Sequence, residues 1–278
     1  MTAMANIHST AVIDASARIG EDVEIGAYCF VGPGVDVGNG TILMEHVHIK
    51  ANTTLGEGNV VHPFAAVGGD PQDRKFHGEH TVLRIGDRNQ IREHVTIHRG
   101  TANGGGETVI GSDCLLMVGT HVAHDCVLGD RVTLANQVML AGHVTVGDHA
   151  TIGGGAGVHH YASIGRLSFV GGLTRIGRDV PPFMIAEGHP SEVRALNTIG
   201  LVRSGLSQDT IDALKACYKG LFRDSRPATD QLPELRAAHA GIPEVEELCA
   251  AVEAASAGTH GRSREATRQD DRWASTSS

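Results

Sequence analysis

Between positions 121 and 125 the chain reads His121-Val-Ala-His124-Asp125, two imidazoles three residues apart with a carboxylate directly after the second. His143 follows Asp125 by 18 residues, Gly142 follows His124 by the same interval, and His160, directly after His159, follows Gly142 by 18 again. If the chain returns on itself every 18 residues, Asp125 lies beneath His143 and His124 beneath Gly142, with His160 two levels above His124. A cluster of His121, His124, His143, His159 and His160 around one carboxylate suits two chemistries: a histidine general base steered by an acidic partner, or a metal site. A glycine above His124 leaves room for a ligand beside its ring.

Such a return requires a repeat, and the sequence has one. An aliphatic residue recurs every sixth position from Ile7 to Val67, again from Ile85 to Ile97, and again from Ile110 to Ile176; all 26 positions hold Ile, Leu or Val. A period of six fits neither the 3.6 of a helix nor a continuous two-residue strand alternation, but it fits short strands joined by tight corners. Glycine often follows the aliphatic residue, as at Gly20, Gly26, Gly38 and Gly129, which is expected where a corner needs a backbone conformation closed to bulkier residues. The pattern is that of a hexapeptide parallel β-helix, a solenoid that stacks aliphatic side chains in interior ladders. With Val122 pointing inward, His121 and His124 reach the outer surface.

Two interruptions break the repeat, and a solenoid expels irregular sequence onto its surface. The polar stretch 69–82 and the glycine-rich stretch 101–108 are predicted as extruded loops. After Ile176 the pattern stops at Pro181-Pro182. Ser207 then caps a predicted helix from Gln208 to about Arg223, a second helix contains Leu232 to Ala238, and Pro243 opens a third that runs to about Ala255. The expected organisation is a β-helix over 1–185, a helical domain over 186–256, and a disordered polar tail over 257–278.

Composition narrows the class. With 41% hydrophobic residues the chain has ample core material, and 23 basic against 32 acidic residues give a net charge of −9, which argues against a duplex-coating nucleic-acid binder. Glycine, at 36 of 278 residues, is about twice its average share of ~7%. The five cysteines show no CxxC pair, so neither a disulfide framework nor a zinc ribbon is indicated and a reducing compartment is expected. No signal peptide and no run of ~20 apolar residues is visible, so a cytoplasmic protein without a membrane span is expected.

The segments IREHVTIHRGT (91–101), GSDCLLM (111–117), HVAHDCVLG (121–129), LAGHV (140–144), DVPP (179–182) and the QDxK motif of Gln72 to Lys75 together resemble the UDP-N-acetylglucosamine O-acyltransferase family. That family opens lipid A biosynthesis in Gram-negative bacteria and belongs to the hexapeptide-repeat acyltransferases. The resemblance implies three hexads per coil, left-handed winding and a homotrimer with active sites in clefts between neighbouring solenoids. It implies transfer of an (R)-3-hydroxyacyl chain from acyl carrier protein to the 3-hydroxyl of UDP-N-acetylglucosamine, with no cofactor and no metal. His124 matches the family's catalytic base, Asp125 the group that orients it, and Gly142 the donor of a backbone N–H to the oxyanion. Gln72, Asp73, Lys75, His121, His143, His159, Asn197 and Arg203 match substrate-contacting positions. Gly172 matches a ruler position that sets acyl length, with His189 as the far wall, which implies a chain of about 12 to 14 carbons. Where the family pattern has two consecutive arginines before a glycine, this chain has Arg203-Ser204-Gly205, so one expected cationic contact to pyrophosphate is missing.

Three other readings compete. A trimeric zinc enzyme resembling γ-class carbonic anhydrase would use histidines across a subunit interface, but its paired ligands lie farther apart than His121 and His124. The related N-acyltransferase of the same pathway adds an N-terminal uridine-binding domain, for which a repeat beginning by Ile7 leaves no space. A non-catalytic scaffold does not account for the joint motifs. The run Gly153-Gly154-Gly155 is no Walker A loop, because the chain contains no Gly-Lys dipeptide.

Overall fold

The computed structural model describes residues 5–258. Two- to five-residue strands wind into a left-handed β-helix whose three faces are sheets of eleven, nine and eight strands, parallel throughout except for the last strand of the largest. Partners one coil apart are 18 residues apart, as in Leu116↔Leu134 and Val122↔Leu140. The register stretches to 30 between Val60 and Gln90 and to 25 between Thr96 and His121, which is where residues 70–81 and the 101–106 segment leave the solenoid.

The repeat is the core. From Ile25 onward every aliphatic residue of the six-residue pattern is buried; Ile7, Ile13 and Ile19 form the first coil and are partly exposed. The position two residues earlier is buried as well, so Cys29, Val35, Val47, Cys114, Cys126 and Val132 add a further interior position to each of the three sides. Three of the five cysteines are therefore small core residues, and all five are free.

The glycines after the aliphatic residues have a different cause from the one expected. Most have ordinary φ, and a Cβ on Gly26 would lie 2.7 Å from the Glu45 nitrogen one coil away, so glycine is there because adjacent coils approach too closely for a side chain. The left-handed corner position comes two residues later and is filled mainly by non-glycine residues, including Asp125 (φ 61), His143 (φ 63) and Tyr161 (φ 63). Asp and His tolerate this region better than most side chains.

The eleven-stranded sheet continues past the diproline: Met184–Glu187 pairs in parallel with Phe169–Val170 and then turns back antiparallel along Glu192–Leu196. The strand thus crosses residue 185, where the sequence suggests the solenoid ends. Four helices follow: α1 (Thr198–Arg203), α2 (Gln208–Arg223), α3 (Ala228–Ala238) and α4 (Pro243–Ser256). Ser207 caps α2 by accepting from the Thr210 N–H at 3.1 Å. Ile211, Leu214, Cys217 and Leu221 pack with Leu232, Val245, Leu248 and Val252 into a second core. Arg166 joins the two parts, pairing with Glu247 at 2.8 Å and lying over the Phe183 ring. Apart from Ala257 and Gly258, the tail lies outside the described residues.

Candidate active site

The face formed by the nine-stranded sheet carries a cleft of about 530 Å³. Its floor is the outward side of the strands Met139–Leu140, Gly157–Val158 and Arg175–Ile176, and its end is lined by His121, His124, Gly142, His159 and Gln72. The residue before each inward aliphatic faces out on this sheet, which stacks His121, Met139, Gly157 and Arg175 in one register column.

His124 stands at the corner after this sheet. Its Nδ1–H donates to Asp125 Oδ2 at 2.7 Å. The carboxylate also accepts from the Thr101 N–H and the Thr101 hydroxyl, both at 2.7 Å, while the Asp125 N–H donates to Thr108 Oγ1 at 2.8 Å. The Asp125 side chain is 1% exposed. Burial alone pushes this carboxyl up, but the His124 and Thr101 hydrogen bonds, with the charge of His143, more than offset it and hold Asp125 below the ordinary carboxylate range. It is therefore ionised at neutral pH, so the His124 proton on this side is held on Nδ1 and Nε2 is left as the basic nitrogen.

Gly142 lies directly above the His124 ring, where a Cβ would come within 2.5 Å of Cε1 and 2.8 Å of Nε2. Only glycine fits there without moving the imidazole. No hydrogen bond among the described residues uses the Gly142 N–H. His143 packs edge-on to His124 at 5.2 Å, stacks on Tyr161 at 4.3 Å, and places Nε2 3.6 Å from Asp125 Oδ2. The expected vertical alignments of Asp125 with His143 and of His124 with Gly142 are thus present.

The other histidines spread along the cleft end. His121 Nδ1 is 2.7 Å from the Thr96 hydroxyl, and burial, then the charge of His124, push its pKa down. His159 lines the cleft with Nδ1 3.1 Å from the His160 carbonyl, and His160 packs against the His159 ring. Behind His121 sits His98, edge-on at 5.0 Å, buried, and pushed down to about 4 chiefly by burial.

The remaining sequence-selected residues are distributed more widely. Of the first extruded loop, Gln72 reaches the cleft, whereas Asp73 and Lys75 do not line it; Asp73 accepts the Lys75 N–H at 3.0 Å. Asn197 caps α1, accepting from the Gly200 N–H at 3.1 Å and donating to the Leu167 carbonyl at 2.8 Å. Arg203 is in the last turn of α1. Gly172 is exposed at the corner that precedes this sheet, 3.2 Å from the Gly154 carbonyl oxygen if given a Cβ, and His189 is exposed in the turn before Glu192–Leu196. None of these four lines the cleft of its own chain. Met139, Ala141, Gly157 and Arg175 do line it and were not singled out from sequence; their outward phase on the sheet was the available signal.

His124, Asp125 and His143 present ligand atoms within 4.8 Å of one another, the one such group among the described residues. Their geometry is that of hydrogen bonding. Two ligands about 2 Å from a tetrahedral ion would stand about 3.3 Å apart, whereas Nδ1 and Oδ2 are 2.7 Å apart and the carboxylate already accepts two further hydrogen bonds.

Residues 179–260 match the family described as UDP N-acetylglucosamine O-acyltransferase, domain 2, and residues 107–142 match the bacterial transferase hexapeptide repeats. An acyl-(acyl-carrier-protein)–UDP-N-acetylglucosamine O-acyltransferase of Thermodesulfovibrio yellowstonii is 43% identical over 251 residues, 90% of this chain and 97% of the relative. That of Syntrophobacter fumaroxidans is 47% identical over 243 residues, 87% and 94% of the two chains. The solved structure of LpxA from Acinetobacter baumannii superposes with a TM-score of 0.86 at 43% identity, covering 89% of this chain and 96% of that one. By overall likeness in sequence and in fold, the chain belongs to the UDP-N-acetylglucosamine O-acyltransferase family.

Proposed function

We propose that this protein transfers an (R)-3-hydroxyacyl chain from acyl carrier protein to the 3-hydroxyl of UDP-N-acetylglucosamine, the first step of lipid A biosynthesis, with His124 as general base. Family membership supports the reaction. The observation that carries the mechanism is the 2.7 Å pair of His124 with ionised Asp125 at the wall of an open cleft.

A sugar hydroxyl is too weak an acid to ionise unaided, so its proton must pass to a base as its oxygen attacks. His124 Nε2 takes that proton while the hydroxyl oxygen bonds to the thioester carbonyl carbon and the carbonyl oxygen gains the negative charge. Asp125 stabilises the imidazolium that results. The unused Gly142 N–H is available to the oxyanion, a contribution often worth about 3 kcal/mol. The tetrahedral intermediate collapses by breaking the carbon–sulfur bond, and the imidazolium proton goes to the departing thiolate.

His143 packs on the dyad and His121, His159 and Gln72 line the same cleft, so all four suit substrate contacts in this reading. Asp73, Lys75, Asn197 and Arg203 do not line the cleft of their own chain, which fits a homotrimer in which clefts form between neighbouring solenoids. Gly172 and His189 stay assigned to the end of the acyl groove, with a chain of about 12 to 14 carbons. The proposed organisation is a β-helix and a helical region divided near residue 185, with the strand Met184–Glu187 straddling the division, and two extruded loops. No helix among the described residues is long and apolar enough to cross a membrane.

The test is to incubate the purified protein with UDP-N-acetylglucosamine and carrier proteins bearing hydroxyacyl chains of 10, 12 and 14 carbons, and to detect the 3-O-acyl product by mass spectrometry. Product from the longer donors supports the reading. Absence of product from every donor refutes the reaction, and preference for the 10-carbon donor refutes the ruler assignment.

A further inference from the structure

The segment 101–106 is more than a surface loop: it closes over the Asp125 carboxylate. Thr101 is 4% exposed and supplies two of the three hydrogen bonds that the carboxylate accepts. The N–H groups of Gly104 and Gly106 both donate to the Thr101 carbonyl, at 3.0 and 2.9 Å, curling the segment tightly. Gly104 then lies flat on the carboxylate, so close that a Cβ would overlap Asp125 Cγ and both oxygens. Gly105 and Gly106 have φ of 109° and 87°, a region that favours glycine.

The cap is anchored at both ends. The Val82 N–H donates to the Gly106 carbonyl at 2.9 Å, Glu107–Ile110 pairs in register with Val82–Ile85, and Thr108 Oγ1 accepts the Asp125 N–H. A buried carboxylate otherwise favours its neutral form. A neutral Asp125 would neither fix the His124 tautomer nor stabilise an imidazolium.

Resting on the general-base reading above, we propose that Thr101 is a positioning residue for the reaction, and that the TANGGGET segment is the device that holds the Asp125 carboxylate aimed at His124 Nδ1. The hydrogen bonds of the Thr101 N–H and hydroxyl go to the Asp125 carboxylate, so Thr101 acts through the acid. The glycine run is what lets the main chain lie on the acid and exclude water from it.

The experiment compares the full-length wild type with Thr101→Val, which removes the hydroxyl at constant shape, with Thr101→Ser, which restores it, and with Gly104→Ala and His124→Ala. For each variant kcat and KM are measured for UDP-N-acetylglucosamine, and the downfield proton resonance of the His124 Nδ1–H is recorded. Thr101→Val is expected to lower kcat about tenfold or more, because a charge-assisted hydrogen bond is lost. Its KM should stay within about twofold and its downfield proton should shift. Thr101→Ser should keep kcat within about threefold of wild type and keep the resonance.

Wild-type kcat in Thr101→Val, or a Thr101→Ser as impaired as Thr101→Val, overturns the proposal. If Thr101→Val does not fold, Gly104→Ala decides: a shifted resonance with reduced kcat supports the cap, and wild-type values overturn it. Activity in His124→Ala would remove the base and the positioning role together, whereas an inactive His124→Ala beside a fully active Thr101→Val removes the positioning role alone.

Discussion

Replacing Asp125 by Asn tests the dyad at nearly constant volume. The carboxylate accepts three hydrogen bonds of 2.7 Å, from the Thr101 N–H, the Thr101 hydroxyl and His124 Nδ1. The Thr101 N–H can only donate, so the single amide oxygen of Asn must face it, and the amide NH2 takes the place of Oδ2. The hydroxyl can turn to accept from that NH2. His124 Nδ1 must then accept as well, which moves the imidazole proton to Nε2, the nitrogen that has to receive the substrate's proton. With the side chain 1% exposed, water cannot repair the mismatch. The same exchange in the Ser-His-Asp triad lowers kcat about 10⁴-fold through the wrong tautomer, and Asp125→Asn is expected to lower kcat about 10³- to 10⁴-fold. KM for UDP-N-acetylglucosamine should change by no more than a few fold, because no cleft contact is removed. Initial rates at saturating donor, with circular dichroism to verify folding, provide the assay. A folded Asp125→Asn variant that retains a tenth of wild-type kcat would refute the tautomer argument.

Two further outcomes follow from the cleft and its surroundings. A Cβ on Gly157 meets no atom within 4 Å although the residue lines the cleft between Met139 and Arg175, so Gly157→Leu should fold normally, fill the cleft and lower kcat/KM about tenfold or more, as steady-state kinetics would show. His98 is buried with its pKa pushed down to about 4. The unfolded chain therefore binds one more proton than the folded one between about pH 6.5 and pH 4, and the stability that neutral His98 carries is complete above about pH 6.5 and lost as the pH falls toward 4. Tm followed from pH 7 to 4 should fall less steeply in His98→Gln than in wild type, and parallel curves would contradict the assignment.

Much of this was legible in the sequence because a solenoid writes its core as a period. The six-residue aliphatic pattern located each inward position from Ile25 to Ile176, and the 18-residue coil implied by the family resemblance placed Gly142 above His124 and His143 above Asp125. Where register is lost, legibility is lost with it. Thr101 lies in an insertion with no period, so its two hydrogen bonds to Asp125 had no sequence signature. The turn-back over Glu192–Leu196 and the six-residue helix α1 were missed because short irregular elements are set by packing on the last coil, not by their own pattern. The glycines were visible but their reason was not: φ is a local property, whereas the approach of Gly26 to Glu45 is a contact between coils. Met139, Gly157 and Arg175 hold outward positions that the period defines, yet Met and Gly carry no chemical signal of a cleft.

The central claim is that His124 removes the sugar hydroxyl proton, and the most direct measurement is the rate of acyl transfer by purified His124→Ala compared with wild type. Its ring is held by one side-chain hydrogen bond, to Asp125, and faces an open cleft, so the variant should remain folded and lose about 10³-fold or more in kcat. A folded His124→Ala protein that transfers the acyl chain within tenfold of the wild-type rate would contradict it.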